Sequence, residues 1–257
     1  MYVYRNELIR AATDLKEVGE LVIITVPEPH QTLAEEVRLA LGSVIQRLYL
    51  AAFNSAFARA DMTAEHALNV ALGPAIAFVQ LVFAGDDLLG VGPAKILEPS
   101  GMGRVCYRNA AAIDGSVRGT GVYTRLVEAP LSKDFPLGPF TALACMTQSL
   151  LVWQAWQRIS RGRLVPSMGW WPDTSLPGDF AVWYEENVLR PIPGRGKGNL
   201  DWAHLVQRRR WPDDLYDPLP RSRDGDVNDW WFGKGGLGMD RGDMAYLYVD
   251  LTAEEKE

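Results

Sequence analysis

The sequence predicts an α/β fold built on a mixed, mostly antiparallel sheet. Short β-branched or apolar runs alternate along the chain with segments of helical periodicity. Three consecutive apolar runs are joined by turn residues, which is typical of antiparallel pairing. Hydrophobic residues make up 47% of the 257 residues, so the chain can bury a sizeable core. We therefore expect one domain over residues 1–257.

The first elements are a strand and a long helix. The β-branched run 20–26 predicts a strand. Thr32 and Glu35 have the spacing of a capping box and predict that a helix begins there. Apolar residues then recur at helical spacing over 37–48, which favours one long helix or two helices broken near Gly42.

The period then changes from helix to strand. A short helix is predicted from Thr63 to just before Gly73. Three strands are predicted after it, at 75–85, 88–99 and 104–113. The segments between them carry glycine-rich turn signals, so consecutive antiparallel pairing is expected.

The second half begins regularly and then loses its pattern. A helix is predicted at 120–129, a strand at 139–146, and a helix at 147–160 capped by Thr147. Residues 161–231 are rich in Pro, Gly, Trp and Arg, and we interpret them as an insertion. Within this insertion only 179–190 has a helical pattern, and a closing strand is predicted at 244–252.

Composition and residue spacing exclude several functions. The formal charge of −6 argues against nucleic acid as a partner, because phosphate backbones bind basic surfaces. Cys106 and Cys145 lie inside apolar runs and are expected to be buried thiols in a reducing compartment. No signal peptide or membrane span is predicted, so we expect a cytoplasmic protein. No metal site is expected, because the three histidines lack ligand spacing: His30, His66 and His204.

One glycine-bearing turn favours an anion. In "GSVRGTGVYTRLVEA", residues 115–129, a strand ends and a helix begins after Arg118, Gly119 and Gly121. Backbone N–H groups at such a turn point outward beside the positive end of the helix dipole, which favours a phosphate or diphosphate. Glycines let the backbone approach the anion, and Arg118 adds a positive charge. The alternative is that the glycines only close a tight turn.

Taken with its surroundings, this turn resembles the GNAT superfamily of acyl-CoA-dependent N-acyltransferases. The hallmark of that family is a strand running into R/Q-x-x-G-x-G/A, and here "AAAID" precedes the segment from Arg118 to Tyr123. The segment "ALACMTQSLLVWQAWQRIS" is similar to the family's fifth strand and following helix, where T-Q-N-x-x-V-Y is common. The order of elements over residues 20–160 also agrees.

The resemblance implies a bound acetyl-CoA or other acyl-CoA and no metal. It implies helices on both faces of the sheet and a V-shaped splay between strands 4 and 5 that admits the pantetheine arm. The amides of 118–123 would then hold the diphosphate, and Ala112 and Ile113 would pair with pantetheine. The residues assigned to CoA in this way are Ala112, Ile113, Arg118, Gly119, Thr120, Gly121, Val122, Tyr123, Ser149 and Trp153.

Three positions depart from the family pattern. Tyr123 replaces a small residue, which is tolerable if only its amide is used. Ser149 stands where an asparagine is usual. Trp153 stands where many members place a tyrosine that protonates the leaving thiolate, and an indole N–H cannot serve as an acid near neutral pH.

The sequence indicates catalytic residues less clearly than it indicates the CoA-binding turn. Tyr107 and Asn109 occupy alternate positions of one strand and share a face, so Tyr107 could act as an acid and Asn109 could orient a water. The alternative is a core tyrosine and a bonded amide. Cys145 could accept an acyl group, or it could be a buried structural thiol.

The insertion supplies candidates for an acceptor pocket. We expect residues 161–231 to shape it for an aromatic or bulky amine, since aromatic side chains line apolar ligand sites. The candidates are Trp170, Trp171, Tyr184 and Glu185. The alternative is that these aromatic residues only pack the insertion.

The first hypothesis is therefore an acyltransferase that moves an acetyl or related acyl group from acyl-CoA to an amine of a small molecule, with a homodimer left open. Two alternatives remain. One is a non-catalytic acyl-CoA-binding or regulatory module, and the other is a GNAT-like enzyme with altered chemistry, such as decarboxylation of an acyl thioester.

Overall fold

The computed structural model describes residues 2–99, 101, 103–168, 186, 200–201, 205–208, 210, 213–234 and 236–252. The chain divides into two compact units. Unit 1 comprises Met1–Ile96 and Cys106–Pro139, and unit 2 comprises Leu97–Val105 and Phe140–Glu257.

Unit 1 contains a sheet and several helices. Its helices are α1 Tyr2–Ala11, α2 Pro29–Thr32, α3 Glu35–Ala52, α4 Ala56–Asp61, α5 Ala64–Leu72 and α6 Val122–Glu128. Its strands are β1 Asp14–Val18, β2 Leu21–Pro27, β3 Phe78–Ala84, β4 Asp87–Leu97, β5 Val105–Arg108 and β6 Ala112–Ile113. Two short 3₁₀ turns, Gly115–Val117 and Ala129–Leu131, flank α6.

The sheet of unit 1 is an antiparallel meander. The pairs β1–β2, β2–β3, β3–β4 and β4–β6 are antiparallel, and β5 also lies beside β4. This confirms the predicted α/β fold with a mostly antiparallel sheet, whereas the splay between strands 4 and 5 stays a prediction.

The predicted strand 104–113 is interrupted by a bulge. The backbone N–H of Asn109 bonds the Pro93 carbonyl at 3.0 Å, whereas Ala112 pairs with Val91. Three steps along one chain therefore match two steps along β4, so one extra residue is accommodated between Asn109 and Ala112. The continuous strand predicted from the sequence is in fact β5 and β6, because the extra residue breaks the ladder.

The helix starts confirm the start predicted at Thr63 and correct the cap predicted at Thr32. Thr63 caps α5 by accepting the His66 N–H at 3.0 Å. The capping box predicted at Thr32 is wrong, because α3 begins after Ala34 with no side-chain cap. The hydroxyl of Thr32 instead donates to the Pro27 carbonyl at 2.7 Å, since Thr32 ends the separate helix α2. α3 runs unbroken through Gly42.

The sheet of unit 1 is covered on both faces. On one face an apolar cluster joins β2 and β3 to α6 and the turn before it, and it comprises Leu21, Ile23, Val82, Val117, Val122 and Leu126. On the other face the Tyr49 hydroxyl of α3 donates to the Ala110 carbonyl at 2.8 Å, which fixes the bulge against that helix.

Unit 2 contains further antiparallel strands of the sheet and two helices. Its strands are β7 Ala142–Thr147, β8 Leu164–Val165, β9 Leu200–Asp201, β10 Val206–Gln207 and β11 Met244–Asp250, and its helices are α7 Leu150–Ser160 and α8 Gly225–Phe232. The strand order is β7-β11-β10-β9, and β8 also pairs with β11. The strand predicted at 244–252 is confirmed as β11, which pairs with β7, β8 and β10.

Two predictions in unit 2 need correction or lie outside the described residues. Thr147 does not cap α7, because it is the last residue of β7 and its hydroxyl accepts the Ser149 N–H at 2.8 Å. Ser149 takes the cap position instead. The helix predicted at 179–190 lies outside the described residues, apart from Glu186. No helix in the described part of the chain is long and apolar enough to cross a membrane.

Candidate functional site

The turn before α6 has the backbone geometry that its glycines predict. Gly119 has φ +80° and Gly121 has φ +82°, which is the left-handed region that side-chain-bearing residues rarely adopt. Gly121 is the N-cap of α6. A Cβ placed on either glycine would meet no atom within 4 Å, so the space beside both residues is open.

Several amides of this turn are available. The N–H of Arg118 bonds Gly115 at 3.3 Å, and the N–H of Thr120 makes a long bond of 3.5 Å to Val117. Within the described part of the chain, no acceptor faces the N–H groups of Gly119, Gly121 or Val122. A helix always leaves its first N–H groups without an internal partner, and glycine exposes them. The turn can therefore donate several hydrogen bonds to one anion.

Arg118 lies beside these amides and is held by the backbone. Its Nε donates to the Ile113 carbonyl at 3.3 Å, and one terminal nitrogen donates to the Ala51 carbonyl at 3.4 Å. The side chain is nevertheless exposed, so its remaining N–H groups face solvent. The guanidinium thus places a fixed positive charge between β6 and the end of α3.

A carboxylate also belongs to this loop. Asp114 accepts from the Ser116 amide at 2.8 Å and from the Ser116 hydroxyl at 2.6 Å. These bonds, with a smaller contribution from Arg118, lower the pKa of Asp114, so the group is ionised near neutral pH. Its charge offsets part of the positive potential of Arg118, and the amides are therefore the more important donors.

The strand before the turn has one backbone N–H group that points away from β4. The Asp114 N–H bonds the Leu89 carbonyl at 2.8 Å, so the antiparallel alternation directs the backbone groups of Ala112 toward β4 and those of Ile113 away from it. The Ile113 carbonyl accepts from Arg118. Of the two residues expected to pair with pantetheine, only Ile113 therefore has its N–H directed away from the sheet.

The two catalytic candidates differ in surroundings. Tyr107 is buried in β5. Asn109 lies at the start of the bulge, and its Nδ2 donates to the Val70 carbonyl of α5 at 3.1 Å. The carboxamide of Asn109 thus holds the end of α5, which is the structural role weighed against a catalytic one.

Both cysteines are free and buried. Burial raises the pKa of the Cys106 thiol to about 12, and the neighbouring Arg108 opposes this only in part. Cys106 is therefore a protonated, unreactive thiol at neutral pH. Cys145 is buried within β7, where the sequence placed a candidate acyl acceptor.

Two residues of unit 2 that the resemblance assigns to CoA, Ser149 and Trp153, have structural roles. Trp153 is buried, and its indole N–H donates to the Pro166 carbonyl at 2.8 Å. Its ring packs on Trp230 of α8, with 4.8 Å between ring centroids. Ser149 is buried at the N-cap of α7.

The predicted acceptor residues Trp170, Trp171, Tyr184 and Glu185 lie outside the described residues. Among the residues that are described, no group of three or more His, Cys, Asp or Glu side chains could hold a metal ion.

Sequence reasoning missed the polar side chains inside the sheet of unit 1. Thr25, Gln80 and Gly92 lie in register across β2, β3 and β4. Gln80 and Thr25 are fully buried, and Arg108 is buried with its guanidinium 5.8 Å from the Phe78 ring centroid. The sequence did offer a signal, since a polar residue stands in the middle of an apolar run. The strand pattern alone does not indicate what that residue does.

No protein-family model matches the chain, and no curated protein matches it. Similar solved structures include meta-AAC0020, an aminoglycoside acetyltransferase from an uncultured soil metagenomic sample solved in complex with trehalose. It is 18% identical, and the similarity covers 42% of this chain and 66% of that chain with a TM-score of 0.32. The chain therefore spans slightly less than two thirds of that relative.

Two further structures have similar scores. A GNAT-family acetyltransferase from Streptococcus pneumoniae is 15% identical, with coverage of 56% of this chain and 84% of that chain and a TM-score of 0.39. RimL, a ribosomal L7/L12 alpha-N-protein acetyltransferase in complex with coenzyme A, is 14% identical, with coverage of 58% and 81% and a TM-score of 0.36. Many of the similar structures are acetyltransferases, and the sequence motifs resemble the same superfamily.

Proposed function

We propose that the turn of residues 118–123 binds the diphosphate of an acyl-CoA, and that the chain is a divergent GNAT acyltransferase that transfers an acetyl or related acyl group to an amine of a small molecule. The observation that carries this proposal is the pair Gly119 and Gly121, at positive φ with open space beside them and N–H groups without an acceptor in the described residues. The sequence motif around Arg118 supports the same ligand. Location in the cytoplasm and an acceptor site shaped by 161–231 are parts of the proposal.

Residues of unit 1 could supply the groups that this reaction needs. Amine attack on the thioester carbonyl forms a C–N bond, breaks the C–S bond and leaves a thiolate that must take a proton. The N–H of Ile113, directed away from β4, is available to orient the pantetheine arm. Tyr107 is the ionisable hydroxyl on β5 that could supply the proton.

A second function is favoured by a specific observation. Trp153 stands at the position of the usual acid, and its only polar hydrogen is donated to the Pro166 carbonyl. If Tyr107 does not supply the proton in its place, the chain would bind acyl-CoA without turning it over. Both functions require the same diphosphate site, so binding must be tested before catalysis.

The binding test uses titration calorimetry with CoA and with pantetheine, which lacks the diphosphate. We expect CoA to bind at least about tenfold more tightly than pantetheine, which is about 1.4 kcal/mol. The variant Gly121→Ala should weaken CoA binding by a similar factor, because a side chain at positive φ costs about 1–2 kcal/mol and shifts the turn.

Gly115→Ala is the matched control. Gly115 lies in the same loop without positive φ, and a Cβ there would meet nothing within 4 Å. It should bind CoA as the wild type does. Equal binding of CoA by the wild type and Gly121→Ala would reject the site. Thiol release from acetyl-CoA that depends on an added amine separates the transferase from the binding module.

A further inference from the structure

We propose that Lys95 is an acyl-acceptor site of this chain, whose side-chain amine takes an acetyl group from a small activated acyl donor. With acetyl-CoA as the donor, this inference rests on the proposed function. With acetyl phosphate as the donor, it does not.

The position of Lys95 in the sheet is the first observation. Lys95 lies near the end of β4, two residues after Pro93, whose carbonyl accepts the Asn109 N–H at 3.0 Å. Because β5 runs beside β4, the ladder that contains this bond places Tyr107 opposite Lys95. Residues directly opposite in such a pair share one face of the sheet. Lys95 is therefore a neighbour of the catalytic candidate on β5.

The absence of a counter-charge is the second observation. Within the described residues, Lys95 makes no ion pair and no hydrogen bond through its side chain, although it is half-buried in β4. Lys16 differs, because its amine lies 3.8 Å from Asp14 in a salt bridge. Lys133 and Lys234 differ in another way, because both are exposed to water.

These surroundings favour the neutral amine. Burial lowers the pKa of Lys95, since its ammonium loses hydration and no carboxylate among the described residues pairs with it. Only the neutral amine has a lone pair for attack on a carbonyl, and lysines desolvated in this way are the ones that act as nucleophiles. Because the side chain is only half-buried, a small donor can still reach the amine.

The transfer is balanced without any further reactant. The Lys95 nitrogen attacks the acetyl carbonyl carbon and a C–N amide bond forms. The C–S bond of the thioester, or the C–O bond of the acyl phosphate, then breaks. The leaving thiolate or phosphate departs with the electron pair, and the proton lost from nitrogen goes to water or to the leaving group. The product is an acetylated Lys95 that carries no charge.

The test compares lysines within one folded chain. The full-length protein is incubated separately with acetyl phosphate and with acetyl-CoA, and the rate of acetylation at each lysine is measured by peptide mass spectrometry. We expect Lys95 to be acetylated at least about threefold faster than Lys133 and Lys234. A lowered pKa raises the fraction of Lys95 that is the neutral amine, and restricted access removes part of that gain. The preference should disappear in urea.

The variants Lys95→Arg and Lys16→Arg complete the test. Lys95→Arg should abolish the fast site and leave Lys133 unchanged, whereas Lys16→Arg should change neither. Acetylation of Lys95 no faster than Lys133 with both donors would overturn the proposal. Selective acetylation by acetyl phosphate alone would support Lys95 as the site and count against the proposed binding of acetyl-CoA.

Discussion

Replacing Gln80 by methionine should make the protein more stable. Gln80 lies in the middle of β3 with no exposed surface, and its Oε1 and Nε2 have no hydrogen-bond partner among the described residues. Its neighbours in register are Thr25 and Gly92. Leaving a polar group buried without a partner costs about 1–3 kcal/mol, because its bonds to water are lost and not replaced. Methionine has a similar length, is flexible and adapts to irregular gaps.

We therefore expect Gln80→Met to raise the free energy of unfolding by about 1–3 kcal/mol, allowing for imperfect packing of the new side chain. For a chain of this size, each kcal/mol corresponds to about 2–4 °C in Tm. Urea titration followed by circular dichroism measures the first quantity, and thermal unfolding measures the second.

Gln46→Met is the matched control, because the same substitution should have the opposite effect there. The Nε2 of Gln46 donates to the Met62 carbonyl at 2.9 Å, so its removal should lower stability by about 0.5–1.5 kcal/mol. A Gln80→Met variant that is less stable than the wild type by more than about 1 kcal/mol would refute the reasoning. It would mean that a buried water or another partner satisfies the carboxamide in solution.

Two further predictions concern unit 2. Trp153→Phe should lower the Tm, by an amount that corresponds to about 1–3 kcal/mol, because the buried Pro166 carbonyl loses the indole donor 2.8 Å away; an unchanged Tm would contradict the role of this bond. Hydrogen bonds from Arg241 lower the pKa of Asp213 to about 2, so the pair stabilises the fold above the ordinary aspartate pKa and this contribution is lost as the pH falls toward 2. Asp213→Asn should remove that part of the acid dependence, measured as the urea midpoint at several pH values between the two pKa values; an identical dependence in variant and wild type would exclude it.

The elements that were predicted correctly have a local signal of their own. α3 and α5 were found because apolar residues repeat at the helical period, and β3 and β4 because apolar runs are bounded by turn residues. β1 was missed because its central residues are exposed, so it shows no apolar alternation and is defined by pairing with β2. Its register depends on a neighbouring strand, which a local pattern does not contain.

α8 was missed for a different reason. It is a short helix inside a Trp- and Pro-rich segment, so composition favoured irregular structure. The signal was present in Asp224, which caps the helix by accepting the N–H groups of Asp226 and Val227. Thr32 and Thr147 show the reverse error, since each has the residue type of a cap but its hydroxyl is used in another bond.

The candidate site was predictable in position but not in detail. Glycines at 119 and 121 mark a turn with positive φ, and this requirement is local. The bond from Arg118 to the Ala51 carbonyl joins residues far apart in the chain, so only the folded structure shows it. Lys95 carried a weak local signal as a charge within an apolar strand, but the sequence does not specify whether a counter-charge lies nearby.

The pairing of β7 with β11 determines when unit 2 can form during synthesis. Thr147 pairs with Ala245, roughly 100 residues later, and the intervening loop must close before the pair gains any hydrogen bonds. The meander of β2, β3 and β4, by contrast, is complete once residue 97 has left the ribosome. Until β11 has been synthesised, the apolar strand β7 lacks its partner along one edge. A nascent chain stalled before residue 244 would therefore expose this strand to chaperones and to aggregation.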